Sequence, residues 1–444
     1  MISRLAESLI SYIKKNIYFE SIMNKTIVVI AAVLMALASV MPTKAQETAD
    51  IMQVAREGAQ QVDRRQSVET DLEQARISVV TCYPGSRNYE LYGHTMIRVQ
   101  IADQDLLFNY GIFNFKASGF LYRFVKGECD YMLAAYPYEH LTKGYESRKI
   151  VEQELNLTAE QKRRVVGYLW WNLQPQNATY RYDWAYNNCA TKPRDIIEMA
   201  VGSSLSYGEP ADRAATFRSI MAYFNRNYPW QQFGIDLVLG MNLDHLLDYR
   251  EQMFSPIKLK EALAGATIIK DGIRVPLVAS TTNLIEGGEE GAALGPTPLL
   301  LTPMAVFTLL FVAVAVITFV EQRRRRLCRW LDSLVFGAFA LAGVLVAFLT
   351  FVSTHYGTSP NVNILWVHPL AFVPAVAVWV KSKSRLLLAY HYANAAIVVL
   401  LAALWWALPQ VGNAAFIPLA AVSLLRSLNY ILGVRRGFVA NKKN

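Results

Sequence analysis

Cys189 and His94 are the two side chains best placed by the sequence to do covalent chemistry. Cys189 comes directly before Ala190–Val201, whose apolar spacing predicts a helix. Pro193 fits the first turn of that helix, where a backbone N–H has no partner anyway. The N–H groups and the positive dipole end of such a helix stabilise a thiolate. His94 opens a predicted strand after Gly93, so its imidazole can face a cleft and accept the thiol proton.

A cysteine at a helix N-terminus that faces a histidine on a sheet is the papain-like arrangement. Here the histidine comes first along the chain, which is the circularly permuted order. Purely structural roles for both residues stay open at this point. A strand histidine is often a hydrogen-bonded structural residue, and a buried cysteine is often an inert small hydrophobe. We expect His140 and His245 to be surface or capping residues.

Apolar periodicity predicts the elements that would position these residues. Alternating apolar residues predict strands over Ile77–Thr81, His94–Val99 and Leu106–Tyr110. Helical spacing with an N-cap at Thr158 predicts a helix over 158–173. The turn Lys270-Asp271-Gly272 predicts a hairpin. Residues 75–285 are therefore expected to form a catalytic α+β domain.

Five apolar runs toward the C-terminus are each near the ~20 residues that cross a bilayer core. They are Leu299–Val320, Leu331–Val352, Ile364–Val380, Leu386–Leu408 and Ala414–Val434. Basic residues follow the first, third and fifth runs, and the connections 353–363 and 409–413 contain no lysine or arginine. This positive-inside pattern predicts a five-helix transmembrane domain over 299–434, with the preceding residues outside the cytoplasm and the basic tail 435–444 inside it.

The N-terminal residues support export. Lys25 precedes an apolar run that ends in small residues near Ala45, which predicts a signal peptide over 1–45 with an upstream extension before Met23. A polar lead-in covers 46–74. The domain over 75–285, called the exported domain below, is followed by a linker over 286–298.

The net charge of +9 does not indicate nucleic-acid binding. Residues 46–298 contain 26 lysines and arginines against 31 aspartates and glutamates, whereas residues 299–444 contain 13 against 2. The basic excess therefore lies beside the membrane runs, and we expect no nucleic-acid partner. The sequence has no glycine-rich phosphate loop and no paired-cysteine zinc spacing, so we expect no cofactor and no metal.

Three of the four cysteines, Cys82, Cys129 and Cys189, fall on the oxidising side of the membrane, where disulfides are allowed. Because three is odd, at least one is unpaired within the chain. A disulfide between Cys82 and Cys129 and two free structural thiols are both compatible with the sequence.

Several motifs, taken in order, resemble a known envelope family. They are Thr81-Cys82-Tyr83-Pro84-Gly85, Tyr92-Gly93-His94-Thr95, Phe108-Asn109-Tyr110-Gly111 and Tyr186-Asn187-Asn188-Cys189-Ala190-Thr191. Together they resemble the Lnb-type lipoprotein N-acyltransferases, from about Ala75 into the membrane half. The resemblance implies a permuted papain-like fold, similar to NlpC-type hydrolases and lecithin:retinol acyltransferase, and a thiol-dependent acyltransferase.

Carried over by position, the resemblance implies that Cys189 is the nucleophile and His94 the base. Asn109 would hold the imidazole by a hydrogen bond, as papain-like enzymes use asparagine, or would only satisfy a turn. Asn188 and the N–H of Cys189 would serve an oxyanion hole. Arg98 would meet a phosphate or pair with a carboxylate.

Polar residues of the connection 353–363 also resemble the family. This segment between the second and third runs is called the outward connection below. We expect His355, Asn361 and Asn363 to lie near the active-site mouth and bind a phospholipid or lipoprotein head group, with ordinary loop solvation as the alternative. The aromatic stretch Phe108–Tyr138 would form an acyl groove, an interfacial contact or plain core. Arg426, inside the last run, would reach toward the cytoplasm or pair within the bundle.

Three functions are compatible with the sequence. The first is a lipoprotein N-acyltransferase with a phospholipid acyl donor and a lipoprotein acceptor, integral to the inner membrane, with the catalytic domain in the periplasm. The second is a membrane-bound NlpC-like peptidoglycan peptidase or amidase. The third is a non-catalytic envelope assembly or sensor protein. The sequence does not indicate an oligomeric state.

Overall fold

The computed structural model describes residues 72, 74–85, 90–113, 119–141, 148–287, 296–380 and 384–439. They belong to one compact unit, Asp50–Asn444. The expected signal peptide and nearly all of the lead-in lie outside the described residues, as does most of the linker 286–298.

The exported domain is built on an antiparallel sheet. Its described strands are β1 (Arg76–Cys82), β2 (His94–Ile101), β3 (Gln104–Ile112), β4 (Asp130–Pro137), β5 (Ile150–Leu155), β6 (Thr179–Arg181), β7 (Thr267–Lys270), β8 (Ile273–Pro276) and β9 (Val278–Ile285). Within the described residues, seven of them form one sheet in the order β6-β4-β3-β2-β1-β5-β9. Strands β7 and β8 form the hairpin predicted around Asp271 and Gly272. The three strands predicted from alternation are confirmed as β1, β2 and β3.

The exported domain also contains helices, three of which pack against the sheet. The described helices of the exported domain are α1 (Phe120–Lys126), α2 (Ala159–Leu173), α3 (Thr191–Val201), α4 (Phe217–Phe224), α5 (Pro229–Val238), α6 (Tyr249–Gln252) and α7 (Pro256–Gly265). The predicted cap of α2 is confirmed, because Thr158 Oγ1 accepts the Gln161 N–H at 3.3 Å and Gln161 Oε1 accepts the Thr158 N–H at 3.0 Å.

The main core lies between the sheet and helices α2, α3 and α7, and it buries Val99 and Phe108 from the central strands. Successive side chains of a strand point to opposite faces. The neighbouring residues His94, Met96 and Asn109 therefore share the other face of β2 and β3, away from the main core. Strand alternation places two of the expected site residues on one surface.

The membrane part contains helices α8 (Pro303–Arg324), α9 (Arg329–Phe351), α10 (Phe372–Ala377), α11 (Ser384–Leu404) and α12 (Phe416–Arg435). In the described part of the chain, four helices are long and apolar enough to cross a membrane, and they correspond to α8, α9, α11 with its extension to Ala407, and α12. The first, second, fourth and fifth apolar runs therefore form helices of the expected kind.

The third run, Ile364–Val380, does not form the continuous helix expected for a fifth span. The chain makes 3₁₀ turns at Val362–Leu365 and Pro369–Ala371 before the short α10. Pro369 has no N–H to donate, and His368 before it is extended, with φ −136° and ψ 154°. The broken segment still packs along α9. The centre of the Trp379 ring lies 5.0 Å from that of Trp330, the second residue of α9.

Arg426 of α12 is fully buried where α8, α9 and α12 meet. Its Nε donates to Asp332 Oδ1 at 2.7 Å, and its Nη1 donates to Glu321 Oε2 at 2.7 Å and to Thr318 Oγ1 at 2.8 Å. Of the two roles considered, pairing within the bundle is the one observed. The guanidinium ties three membrane helices together through charge-assisted hydrogen bonds.

Candidate active site

Gly111 of β3 is the place where Cys189 and His94 meet. A Cβ added to this glycine would stand 3.6 Å from His94 Cε1 and 3.9 Å from the Cys189 Cβ. The glycine has φ +116°, a backbone conformation that other residues rarely adopt. The two side chains predicted to react therefore flank one small space, and Cys189 is a free, half-buried thiol.

Each of the two side chains is placed by the start of its element. His94 begins β2 after Gly93, whose φ is +81°, and a Cβ on Gly93 would come within 2.8 Å of the Cys82 carbonyl oxygen. Cys189 comes two residues before α3. The side chain of Asn188 caps that helix, because its Oδ1 accepts the N–H groups of Ala190 and Thr191 at 2.8 and 3.0 Å.

A chain of hydrogen bonds decides which nitrogen of His94 carries the proton. His94 Nε2 lies 2.7 Å from Asn109 Oδ1, and Asn109 Nδ2 donates to the Tyr136 hydroxyl at 3.0 Å. The hydroxyl donates onward to Met96 Sδ at 3.0 Å. Because an amide oxygen only accepts, Nε2 is the donor, and in the neutral ring Nδ1 is then the nitrogen with the lone pair.

The thiol and the imidazole are both uncharged at neutral pH. Burial raises the pKa of the Cys189 thiol to about 11, although hydrogen bonds from the Thr95 and Cys189 N–H groups and the charge of Arg148 lower it. Burial lowers the pKa of His94 to about 4; the Asn109 hydrogen bond raises it, and Arg148 lowers it further. The thiol keeps its proton at rest, and the imidazole is in the basic form that can take that proton during attack.

The backbone N–H groups of Thr95 and Cys189 favour the thiolate form of Cys189 and so lower the pKa of its thiol. One N–H comes from β2 directly after His94, and the other precedes α3. Both therefore lie where the strand and the helix meet.

Two family models match the chain. The model for the Lnb N-terminal periplasmic domain matches residues 63–223, and the model for the Lnb transmembrane domain matches residues 296–436. The chain belongs to the Lnb-type lipoprotein N-acyltransferase family. It is a membrane protein with an N-terminal periplasmic part. No curated protein and no solved structure matches the chain.

In this Lnb-family chain, Asn188 does not offer its side chain to an oxyanion. Its Nδ2 donates to the carbonyl oxygens of Trp184 and Phe254 at 2.6 and 3.1 Å, while its Oδ1 caps α3. The side chain instead holds the loop before Cys189 in place. An oxyanion role for the backbone N–H of Cys189 stays a prediction.

Arg98 is engaged by carboxylates. It donates to Asp105 from Nε and Nη2 at 2.8 and 2.6 Å, and Nη1 lies 3.0 Å from Glu152 Oε2. Its guanidinium also stacks 3.4 Å above the ring centre of Tyr138. Of the two roles considered from the sequence, the structure shows carboxylate pairing.

The polar residues of the outward connection bind the periplasmic part of this Lnb-family chain. Asn361 Nδ2 donates to the Leu237 carbonyl at 3.0 Å, and Asn363 Nδ2 donates to the carbonyls of Asp236 and Leu237 at 2.8 and 3.0 Å. They satisfy carbonyls at the end of α5. His355 Nε2 contacts the carbonyl of Phe124 in α1. These contacts join the two parts, and head-group binding by the three side chains stays a prediction.

The same connection also contacts the loop that leads to Cys189. The Trp184 indole N–H donates to the Tyr356 carbonyl at 3.0 Å, and the rings of Tyr186 and Tyr356 meet at 4.8 Å. The segment just before Cys189 therefore rests on a loop that leaves the membrane part. This contact joins the loop before Cys189 to the connection that follows α9.

Cys82 and Cys129 are both free and buried, which excludes the disulfide considered between them. Cys82 ends β1 and Cys129 precedes β4, and the sheet order places β2 and β3 between those strands. Three strand spacings are about 14 Å, far beyond the Cα separation that a disulfide can bridge. Cys82 pairs across from His94, and burial raises its pKa to about 12.

Thr95, Arg148, Tyr136 and Gly111 also lie at the site, and the sequence indicated no role there for any of them. A backbone donor such as the Thr95 N–H has no residue-type signature. Arg148 follows residues outside the described part, and its Nε donates to the Tyr83 carbonyl at 2.7 Å. The glycine after Asn109 was the available signal, because a glycine within a strand often marks a close approach.

Proposed function

We propose that the protein is a lipoprotein N-acyltransferase that carries an acyl chain on Cys189 between a phospholipid and the α-amine of a diacylglyceryl-cysteine lipoprotein. The observation that carries the proposal is that His94 and Cys189 flank the same position, Gly111, in a domain joined to membrane helices. Family membership supports a role in lipoprotein processing. The permuted papain-like order of histidine and cysteine belongs to the same proposal.

In the first half-reaction, Cys189 Sγ attacks the ester carbonyl carbon of the phospholipid. The thiol proton passes to His94 Nδ1, and the N–H groups of Thr95 and Cys189 hold the oxyanion. The carbon–oxygen ester bond then breaks, and His94 returns its proton to the leaving alkoxide. The products are a Cys189 thioester and a lysophospholipid.

In the second half-reaction, the neutral α-amine of the lipoprotein attacks the thioester carbonyl. His94 takes a proton from the attacking nitrogen and delivers it to the departing Cys189 sulfur, so an amide forms and the thiol is restored. Asn109 is a positioning residue in both halves, because it keeps the proton on Nε2 and the lone pair on Nδ1.

The membrane attachment explains why the dyad would serve transfer. Both proposed substrates are held in a bilayer leaflet by their own acyl chains, so neither can diffuse to a distant site. The outward connection holds the Cys189 loop against the membrane part through Tyr356. A nucleophile held there meets the ester and the amine in the same leaflet. Holding the reacting groups close together in this way lowers the entropic cost of the reaction.

The test is mass spectrometry of lipoprotein N-termini from cells that carry only Cys189→Ala or His94→Ala. We expect free α-amines on diacylated lipoproteins, with full-length protein still in the membrane. Cys328→Ala is the matched control, since Cys328 is an exposed thiol outside the site, and should leave N-acylation intact. Fully N-acylated lipoproteins with altered wall peptides would replace the proposal by peptidoglycan hydrolysis.

A further inference from the structure

A row of stacked aromatic rings crosses one edge of the periplasmic domain. Centroid distances along it are 4.1 Å from Tyr182 to Tyr131, 4.6 Å from Tyr131 to Phe113, 5.8 Å from Phe113 to Phe120 and 6.0 Å from Phe120 to Phe124. The interplanar angles lie between 14° and 25°, so the rings are nearly parallel. These five residues are called the aromatic row.

The inner end of the aromatic row lies at the nucleophile. Tyr182 belongs to the loop that leads to Cys189, and reciprocal backbone hydrogen bonds of 3.1 and 2.9 Å between Asp183 and Asn187 close that loop. Phe113 comes two residues after Gly111, where an added Cβ would stand 3.9 Å from the Cys189 Cβ. The Tyr182 N–H donates to the Cys129 carbonyl at 3.0 Å, which fixes the loop before Cys189 beside strand β4 and Tyr131.

The outer end of the aromatic row lies on α1, which is attached to a membrane helix. Ser353 Oγ donates to the Val125 carbonyl at 2.9 Å, and the Thr354 N–H donates to the Lys126 carbonyl at 2.8 Å. These groups satisfy the last carbonyls of α1 and come from the loop directly after α9. The Tyr122 ring meets Phe348, in the last turn of α9, at 6.2 Å.

Helix α1 also presents apolar side chains outward. Leu121 is 44% exposed and Tyr122 is 58% exposed, beside the end of a helix that is long enough to cross a membrane. Tyrosine is favoured at this interfacial level because its ring is apolar and its hydroxyl polar. The half-buried Phe113, Phe120 and Phe124 give the row an accessible side.

We propose that the aromatic row binds the acyl chain of a membrane lipid, with α1 as the entry and the ester carbonyl at Cys189. The inference rests on the proposed function and names the part of the substrate that the protein recognises. The row ends on a helix that contacts a membrane helix, so a hydrocarbon chain from the bilayer is the ligand that can reach it. A chain of one leaflet spans roughly 15 Å, half of the bilayer core, which is of the same order as the row.

The test compares acylation of Cys189 by two phosphatidylethanolamines that differ only in chain length, one long and one short. Purified full-length protein is mixed with both lipids in detergent, and intact mass gives the ratio of long to short thioester. For Phe113→Ala and Phe120→Ala we expect the ratio to fall on the order of tenfold, the effect of losing roughly 55 Å² of apolar contact. Trp171→Ala, an exposed aromatic of α2, should leave the ratio at the wild-type value.

An unchanged ratio in both phenylalanine variants overturns the aromatic row as the chain site, whether total acylation persists or falls equally for both lipids. A lipid with a photoreactive group at the chain terminus gives a second measurement. It should crosslink to α1, whereas crosslinks confined to the helices α8 to α12 would refute the placement. Failure of the wild-type protein to form either thioester would refute the proposed function instead.

Discussion

Replacing Asn109 by alanine removes the oxygen that accepts the Nε2–H of His94 at 2.7 Å. Asn109 is buried, so the imidazole loses its partner without access to bulk water. Losing one partner of a buried hydrogen bond costs about 1–3 kcal/mol. If the loss falls on the transition state, in which the ring becomes cationic, acylation of Cys189 slows about 5- to 150-fold. The KM for the donor lipid should change little, because Asn109 acts on the ring.

The pH dependence separates positioning from general structural damage. Burial lowers the pKa of His94 to about 4, and the hydrogen bond that Nε2–H donates to Asn109 Oδ1 opposes this shift. The base must be neutral, so activity falls as pH drops through that pKa. Asn109→Ala should therefore move the acidic limb to lower pH, whereas Asn109→Asp should move it to higher pH because a carboxylate stabilises the imidazolium.

The assay is the rate of thioester formation on Cys189 by intact mass, from acidic to neutral pH. Tyr136→Phe is the matched control, because it removes the hydroxyl that bonds Asn109 Nδ2 and Met96 Sδ and leaves Asn109 Oδ1 facing the ring. We expect a smaller loss and an unmoved acidic limb. Wild-type rates in Asn109→Ala, or shifts of the same sign in the Ala and Asp variants, would refute the reasoning.

Three further outcomes follow from the charges and contacts. Alkylation of Cys189 by iodoacetamide should rise about tenfold per pH unit toward pH 11, because burial raises the thiol pKa to about 11; a rate already flat at neutral pH would reveal a resting ion pair. Arg426→Met should cost about 3–5 kcal/mol in thermal unfolding in detergent, since it leaves buried Glu321 and Asp332 uncompensated, and an unchanged Tm would contradict this. The double variant Asn361→Ala with Asn363→Ala should lower stability by about 1–3 kcal/mol per lost partner; a raised donor KM at unchanged stability would favour head-group binding over docking.

Several site residues could be assigned from the sequence because their signals are local. Cys189 before a helix and His94 after a glycine are each visible within a few residues. Asn109 lies on the next strand, and its bond to His94 is one of the two roles considered for it, the other being to satisfy a turn. Arg98, Asn188 and Asn363 carry donors that fit more than one acceptor, and only the folded chain shows which acceptors lie within reach.

In the membrane part, too, local sequence predicts some elements, and packing between distant segments decides others. Four apolar runs form long helices because hydrophobicity and length decide that outcome locally. The run Ile364–Val380 is also apolar, but it does not form a continuous helix. Because of Pro369 and the packing of this run along α9, it forms turns and the short α10. A Cβ on Gly343 of α9 would collide with the backbone of His368, so the close approach depends on a glycine far away in sequence.

By itself the sequence determined the order of exported domain and membrane segments and the core strands. It also singled out Cys189 and His94 as the candidate reacting pair. These conclusions follow from composition and short-range periodicity. Tertiary structure alone decided the tautomer of His94, the N–H groups around the sulfur, the separation of Cys82 from Cys129, and the aromatic row between Cys189 and α1. Each of these depends on contacts between segments distant along the chain, and such contacts are set by sheet order and packing.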